Sequence, residues 1–323
     1  MATTAMTRSA PAETAGGGGG GLGRRLLTIF GLSFLILFAL IQTVPFVLTI
    51  SNSFKCLPGT RQAPEAFIPS QLNFIDCRTA SGASIPLEDS VSGLTFKPSM
   101  EGYDEVLGTY PFPSWFANTV IYAVFVTVLR LAFDSLAGYA LARMDFPGRR
   151  IMFFVVLGTL MIPAVVLIIP RFIILREIGI LNTYQGLIFA LAADAFGVFL
   201  MKQFFESIPT EIEEAAQVDG ANRFTMFFRI VLPMATPALT ALTIFSFQGT
   251  WNNFMDALII VGGKADLWNL PLGMAQLRGQ FGETLEWNTF LAGAVFTTIP
   301  MAILFFVFQR YFVEGVSYSG LKG

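Results

Sequence analysis

A chain of 323 residues with 54% hydrophobic and only 13% charged side chains, and a mean hydropathy of +0.64, falls well short of the roughly 25% charge that a soluble domain carries. Most of its surface therefore belongs in lipid. The sequence holds no histidine, which excludes imidazole-based metal sites, haem ligation through imidazole and every histidine-dependent nucleophile system. Two cysteines cannot build a four-thiolate zinc or iron–sulfur centre, and a net charge of −2 offers no basic field for nucleic acid.

Residues 1–25 form a Ser/Thr/Ala-rich tail in which 16–21 are all glycine. This composition buries too little apolar surface to offset the entropy of ordering it, so a disordered cytoplasmic tail is expected. Six apolar runs follow, 26–50, 115–141, 151–175, 184–201, 231–261 and 288–310, each near the roughly 20 residues that cross a bilayer core as a helix. Barrel strands are shorter and alternate, so the runs speak against a barrel. The first exceeds the apolar core of a secretion signal, about 7 to 15 residues, and no A-x-A-like site follows it; it is read as a retained span. The expected fold is all-α, a polytopic membrane protein with six transmembrane helices, with its core over 115–310 and a short tail at 311–323.

A cytoplasmic N-terminus places Arg8, Arg24, Arg25, Arg143, Arg149, Arg150, Lys202, Arg223, Arg229, Arg310 and Lys322 inside. The short outer loops then carry only Arg171, Arg176, Lys264 and Arg278. The positive-inside rule thus sets both termini in the cytoplasm. The long outer segment, 51–114, holds seven of the seventeen prolines and apolar residues with no clear period. It reads as an extracytoplasmic appendage. Both cysteines, Cys56 and Cys77, fall in it; on an oxidising face they either pair, closing a loop of about twenty residues, or remain two thiols.

The stretch 207–233, between the fourth and fifth runs, is the most informative. Thr210 and Glu213 have capping-box spacing, and Glu211, Glu213 and Glu214 sit where a helix N-terminus favours negative charge. A short helix is expected there, with Gly220 in the left-handed position that ends it. Asn222 is placed to cap a second helix whose apolar stripe is Phe224, Phe227, Phe228 and Val231. On helix physics alone, this is equally an amphipathic surface loop.

The wider pattern is Glu214-Ala215-Ala216, three residues, Gly220, nine residues, then Ile230-x-Leu232-Pro233. It resembles the EAA loop of the permease subunits of ATP-binding-cassette importers. Ala117-Asn118-Thr119, the stretch 139–149 (YALARMDFPGR), Ile208-Pro209 and Trp251-Asn252-Asn253-Phe254 are similar to the carbohydrate-uptake branch, the maltose-type second permease subunit, from about residue 115 onward. The resemblance implies a type I importer permease fold, a homologous second permease subunit and a homodimeric ATPase that binds ATP and Mg. It further implies an extracytoplasmic solute-binding protein that delivers a sugar, membrane lipid around the helices, and no nucleic-acid partner. This chain has no G-x-x-x-x-G-K-[ST] stretch and is expected to be no enzyme and to hold no cofactor or metal of its own. By the same resemblance Glu213, Glu214, Ala215, Ala216, Asp219 and Gly220 couple to the ATPase. Glu214 would meet a cationic residue, Ala215 and Ala216 would face the groove, and Asp219 and Gly220 would keep the corner.

Ionisable residues inside spans are functional candidates by default. Arg130 and Asp134 lie four apart and can pair along one helix face. Asp194 either lines a wet cavity or bonds across a subunit interface. Gln248, Trp251, Asn252, Asn253 and Asp256 give amides, a carboxylate and an indole within about two turns, the equipment for sugar hydroxyls and C–H faces. They either line a path or glue helices together. The competing classes are an importer of another polar solute, a secondary transporter, which would use ionisable relays, and a membrane-embedded enzyme.

Overall fold

The computed structural model describes residues 20–56, 60, 67, 70–72, 94–96, 98–277 and 286–319. Their regular elements are helical apart from an antiparallel pair of short strands, β1 (Ser70–Leu72) and β2 (Leu94–Phe96), with Gln71 opposite Thr95. Cys56 is buried, and Cys77 lies outside the described residues, as does the expected bond between them.

The chain divides into two units, Met1–Leu48 and Thr49–Gly323. The first contributes most of α1 (Gly20–Ser53), which begins inside the stretch assigned to the tail. Arg24, Arg25, Leu26 and Leu27 are good helix formers, and they extend the helix toward the N-terminus. Leu27, Phe30, Leu35 and Phe38 are all exposed, and a helix that is apolar all round suits lipid.

The second unit runs α2 (Glu101–Gly108), α3 (Phe112–Arg143), α4 (Arg149–Leu160), a 3₁₀ turn (Ala164–Leu167), α5 (Ile168–Glu177), α6 (Tyr184–Ala190), α7 (Ala195–Ser207) and α8 (Thr210–Val218). It continues through α9 (Arg223–Met226), a π-helical turn (Phe227–Val231), α10 (Leu232–Met234), α11 (Thr236–Trp251), α12 (Met255–Ile260), α13 (Leu270–Leu277) and α14 (Trp287–Ser319). Three stretches, Arg25–Ser53, Phe112–Arg143 and Trp287–Gln309, are single helices long and apolar enough to cross a membrane. The other candidate spans are bent pairs: Arg149–Leu160 with Ala164–Glu177 at 103°, Tyr184–Ala190 with Ala195–Ser207 at 45°, and Arg223–Met234 with Thr236–Trp251 at 78°.

The bends have local causes. Pro163 precedes the 3₁₀ turn and stops the third run, whereas Pro170 lies in the first turn of α5, where its missing N–H is not needed. The fifth run was expected to continue to 261, but its helix ends at Trp251. There the Asn253 side chain accepts the Asp256 N–H at 3.1 Å and starts α12 instead, an asparagine competing with the helical ladder.

The long helix α3 is the axis on which α7, α11 and α13 pack. Glycines bring α3 and α7 together: a Cβ on Gly138 would lie 2.7 Å from Met201 Cβ and 2.9 Å from Lys202 N. At one end of α3, Tyr139, Met201, Phe205, Phe227 and Leu242 share a core; at the other, Phe112, Trp115, Trp251 and Leu270 form a second. Beside the second, α2 lies on the start of α14, close enough that a Cβ on Gly102 would meet Asn288 O at 2.6 Å. Here the Thr289 hydroxyl donates to Glu105 Oε2 at 3.0 Å. Burial, and next the hydrogen bond shared with the Glu286 carboxyl, push the Glu105 carboxyl above its usual range.

Two outcomes follow from this packing. Gly138→Val should cost about 1–3 kcal/mol of overpacking, read as a lower melting temperature of the detergent-solubilised protein. A carboxyl raised in the fold holds its proton more tightly there than in the unfolded chain. Its stabilisation is therefore complete below the ordinary carboxylate value and fades as pH rises through the raised one. Melting temperature should accordingly decline with pH from about pH 4 upward more steeply in the wild type than in Glu105→Gln, and identical slopes would contradict this account.

Candidate functional site

The helix α8 carries the residues singled out by pattern, and its two faces differ. Glu211, Glu214, Ala215 and Val218 recur at helical spacing and are exposed, Val218 at 89%. Gln217, Asp219 and Gly220 are exposed beside them. Glu213 and Ala216 face inward with Ile212, and Ala216 joins the core around Phe205 and Phe227. The anticipated coupling residues are thus divided: Glu214, Ala215, Asp219 and Gly220 are on the surface, and Glu213 and Ala216 are beneath it.

The expected capping box does not form. The helix starts with Pro209 as its N-cap and no side-chain cap bond, because the Glu213 carboxylate is engaged elsewhere. Its Oε1 lies 2.8 Å from Arg143 Nε, and its Oε2 accepts from the Tyr139 hydroxyl at 3.4 Å. Arg143 Nη2 donates to Phe205 O at 2.7 Å, which also accepts the Ile208 N–H, and to Ile208 O, placing a cation at the carbonyl end of α7.

The other end of α8 closes as anticipated. Gly220 has φ of +82°, and its N–H reaches Gln217 O at 3.0 Å while that of Ala221 reaches Ala216 O at 2.9 Å. This is the paired bonding of a Schellman turn, which needs a left-handed residue at its corner. Asn222 Oδ1 then accepts the Thr225 N–H at 2.8 Å and starts α9. The expected phenylalanine stripe is corrected: Phe227 and Val231 are buried, but Phe224 and Phe228 are 75% and 53% exposed. The turn between them is π-helical, with Leu232 N–H bonded to Phe227 O. Pro233 has no N–H for the carbonyl four residues back, and the wider turn absorbs the fault while rotating the inward face.

Arg130 and Asp134 go to different partners rather than to each other. Arg130 Nε donates to Leu191 O at 2.7 Å, at the C-terminal end of α6. Asp134 Oδ1 accepts the Asp194 N–H at 3.0 Å, at the N-terminal end of α7. The break between α6 and α7 thus has a cation at the carbonyl end and an anion at the amide end, the arrangement that both half-helix dipoles favour. Asp134 is fully buried, and a Cβ on Gly197 would lie 2.1 Å from its Oδ2. Asp194 is half-buried and enters this joint through its backbone.

The polar group at the end of α11 is likewise divided. Trp251 is 2% exposed, its ring stacks on Phe247, and its indole N–H donates to Thr297 O at 3.1 Å. Asp256 is buried and 2.7 Å from Arg171 Nη1, and Asn253 Nδ2 donates to Asp256 Oδ2 at 2.9 Å. Gln248, Gly249 and Asn252 remain exposed on one side of the helix end. Asn118 and Thr119 hold the neighbouring hairpin: Asn118 Nδ2 donates to Asp266 O and Trp268 O, and the Leu270 N–H donates to Thr119 Oγ1. Among the described residues no group of three or more Cys, Asp or Glu could hold a metal ion.

Sequence reasoning overlooked Arg143 and Arg171 as site residues and counted them only as markers of sidedness. The available signal was that each is a cation at a helix segment with no acid at helical spacing on its inward side. A partner had to come from another element.

Residues 134–318 match the family described as binding-protein-dependent transport system inner membrane component, and the chain belongs to that family. It is 36% identical over 234 residues to the arabinooligosaccharides transport system permease protein AraQ of Halalkalibacterium halodurans, covering 71% of this chain and 83% of that one. It is 34% identical over 232 residues to the trehalose/maltose transport system permease protein MalG of Thermococcus litoralis, covering 71% and 83%. It is 32% identical over 287 residues to the diacetylchitobiose uptake system permease protein NgcG of Streptomyces coelicolor, covering 88% and 86%. Its fold matches a chain in the crystal structure of a bacterial ABC transporter involved in the import of the acidic polysaccharide alginate, with a TM-score of 0.71 and 26% identity, over 90% of this chain and 98% of that one.

The Asp134 contact makes a direct prediction. Asp134→Leu leaves the start of α7 without its acceptor and should destabilise the protein by about 1–3 kcal/mol, whereas Asp134→Asn, which retains an oxygen there, should lose less. Thermal unfolding of the two purified variants in detergent distinguishes them, and equal losses would show that the bond to Asp194 N–H contributes little.

Proposed function

We propose that this chain is a transmembrane permease subunit of an ATP-driven importer of a sugar of disaccharide or oligosaccharide size. It sits in the cell membrane with six spans, three of them the bent pairs, and both termini are cytoplasmic. A homologous second permease subunit completes the path, a homodimeric ATPase binds ATP and Mg, and an extracytoplasmic solute-binding protein delivers the sugar. The chain itself hydrolyses nothing.

The observation that carries this reading is the division of α8. A helix whose inner face is held by Arg143 and Tyr139 offers outside an acidic edge, Glu211 and Glu214, beside the small Ala215 and the exposed Val218. A cationic, shallow groove on an ATPase suits that face, and Asp219 and Gly220 form the corner next to it. Glu213 and Ala216 support the helix from beneath. Ionisable groups within the spans serve structure here, since Arg130, Asp134 and Asp256 are each engaged by other parts of the chain. Path contact falls instead to Gln248 and Asn252, whose exposed side-chain amides suit sugar hydroxyls; Trp251, Asn253 and Asp256 brace them from behind.

The test is reconstitution of the whole importer in proteoliposomes with maltose, trehalose, an arabino-oligosaccharide and diacetylchitobiose as probes. ATP-dependent uptake of at least one, requiring the binding protein, is the expected result; uptake driven by a proton or sodium gradient without ATP would overturn the reading. Gly220→Pro cannot adopt the positive φ at the corner and removes the N–H bonded to Gln217 O. It should abolish uptake while the protein still inserts in the membrane, as followed by immunoblotting of the membrane fraction. Glu214→Lys should weaken co-purification of the ATPase, and undiminished recovery would exclude Glu214 from the contact.

A further inference from the structure

Arg143 sits where three elements meet. It is the last residue of α3, its Nη2 bonds carbonyls at the end of α7 and in the turn that follows, and its Nε faces Glu213 of α8 at 2.8 Å. The two side chains are only 9% and 8% exposed. Tyr139, one turn earlier on the same face of α3, donates to the other Glu213 oxygen and packs against Phe205 and Phe227. A planar guanidinium has donors for carbonyls and carboxylate at once, which a lysine ammonium at that position cannot match in geometry.

We propose that the Arg143–Glu213 pair is the joint that transmits displacement of α8 to the membrane-embedded helices α3 and α7. The proposal rests on the importer reading above and assigns Arg143 and Glu213 as positioning residues, not as contacts to ATPase or sugar. The physical reason lies in what else holds α8. Its outer face is exposed, and its inner face is short, consisting of Ile212, Glu213 and Ala216. Small apolar contacts such as that of Ala216 allow one surface to slide over another. A buried charge pair does not, because separating it leaves a charge without compensation in a dry site. A push on α8 is therefore delivered to the end of α3 and, through the same guanidinium, to the end of α7. The glycine-mediated contact of α3 with α7 at Gly138 and Gly197 makes those two helices move together.

The experiment uses the complete importer in proteoliposomes, with the probe sugar that gives the highest wild-type uptake, and measures sugar imported per ATP hydrolysed. Glu213→Gln keeps the shape and an acceptor and removes the charge; Arg143→Lys keeps the charge and removes the fork. Each should lower the ratio by about tenfold, within the span reported for coupling-network changes, while the complex still assembles. The double variant should be no worse than the worse single, as for residues acting as a unit. If the pair merely stabilised the fold, fewer complexes would form, uptake and hydrolysis would fall together, and the ratio would stay at the wild-type value; that result overturns the proposal. Should Arg143→Lys fail to assemble, the ratio for Glu213→Gln alone decides. A wild-type complex without ATP-dependent uptake would remove the importer reading itself, a different outcome from a coupled wild type with equally coupled variants.

Discussion

A backbone carbonyl or amide released inside a bilayer has no water to turn to, so every break in a spanning helix must be met by another part of the protein. Much of this structure is the consequence. Where α6 stops and α7 starts, Arg130 and Asp134 from α3 meet the two loose ends. At the end of α7, Arg143 meets the next carbonyls. At Pro233 the chain widens into a π turn, and at the end of α11 the Asn253 side chain caps the start of α12. Charges that look costly in an apolar sequence thus serve as repairs to the backbone, and three of them lie along a single helix.

That single helix connects the site to the core. Arg130, Asp134, Tyr139 and Arg143 all project from α3, and the elements they reach are the bent pair α6–α7 and the surface helix α8. The long, uninterrupted α3 supplies the rigid reference, and the interrupted helices are arranged around it. Close approach is possible because glycines occupy the crossing on both sides, Gly138 on α3 and Gly197 on α7. The outer face of α8 can then be small and polar without the helix detaching, since its hold on the protein lies in a buried charge rather than in a broad apolar surface.

Family membership and the likeness of the fold to a solved importer chain agree with this layout. What the layout adds is a division of labour among residues that a motif presents as a block. Of the neighbours Glu213 and Glu214 one is buried and the other exposed, and the same is true of Ala216 and Ala215. The same applies in the polar cluster at the end of α11, where Asp256 is consumed by Arg171 and Trp251 is sealed into a core, while Gln248 and Asn252 are exposed.

The sequence by itself was enough for the lipid-facing helical class, for the glycine corner at 220, for the Asn222 cap and for the location of the surface helix. Those features depend on composition, on residues a few positions apart, or on one backbone conformation that glycine adopts readily. Tertiary structure alone decided the partners of the charges, because Arg143 and Glu213, or Arg171 and Asp256, are far apart in the chain and no periodicity links them. It also overruled the local readings: Glu213 left its capping box for Arg143, Arg130 and Asp134 left each other for the ends of a broken helix, and Pro233 turned an even phenylalanine stripe into one with two faces. A helix-period pattern assumes an unbroken ladder and partners on the same helix; at the break between α6 and α7 the unpaired backbone groups had the stronger claim on Arg130 and Asp134, and at α8 a side chain from another helix had the stronger claim on Glu213.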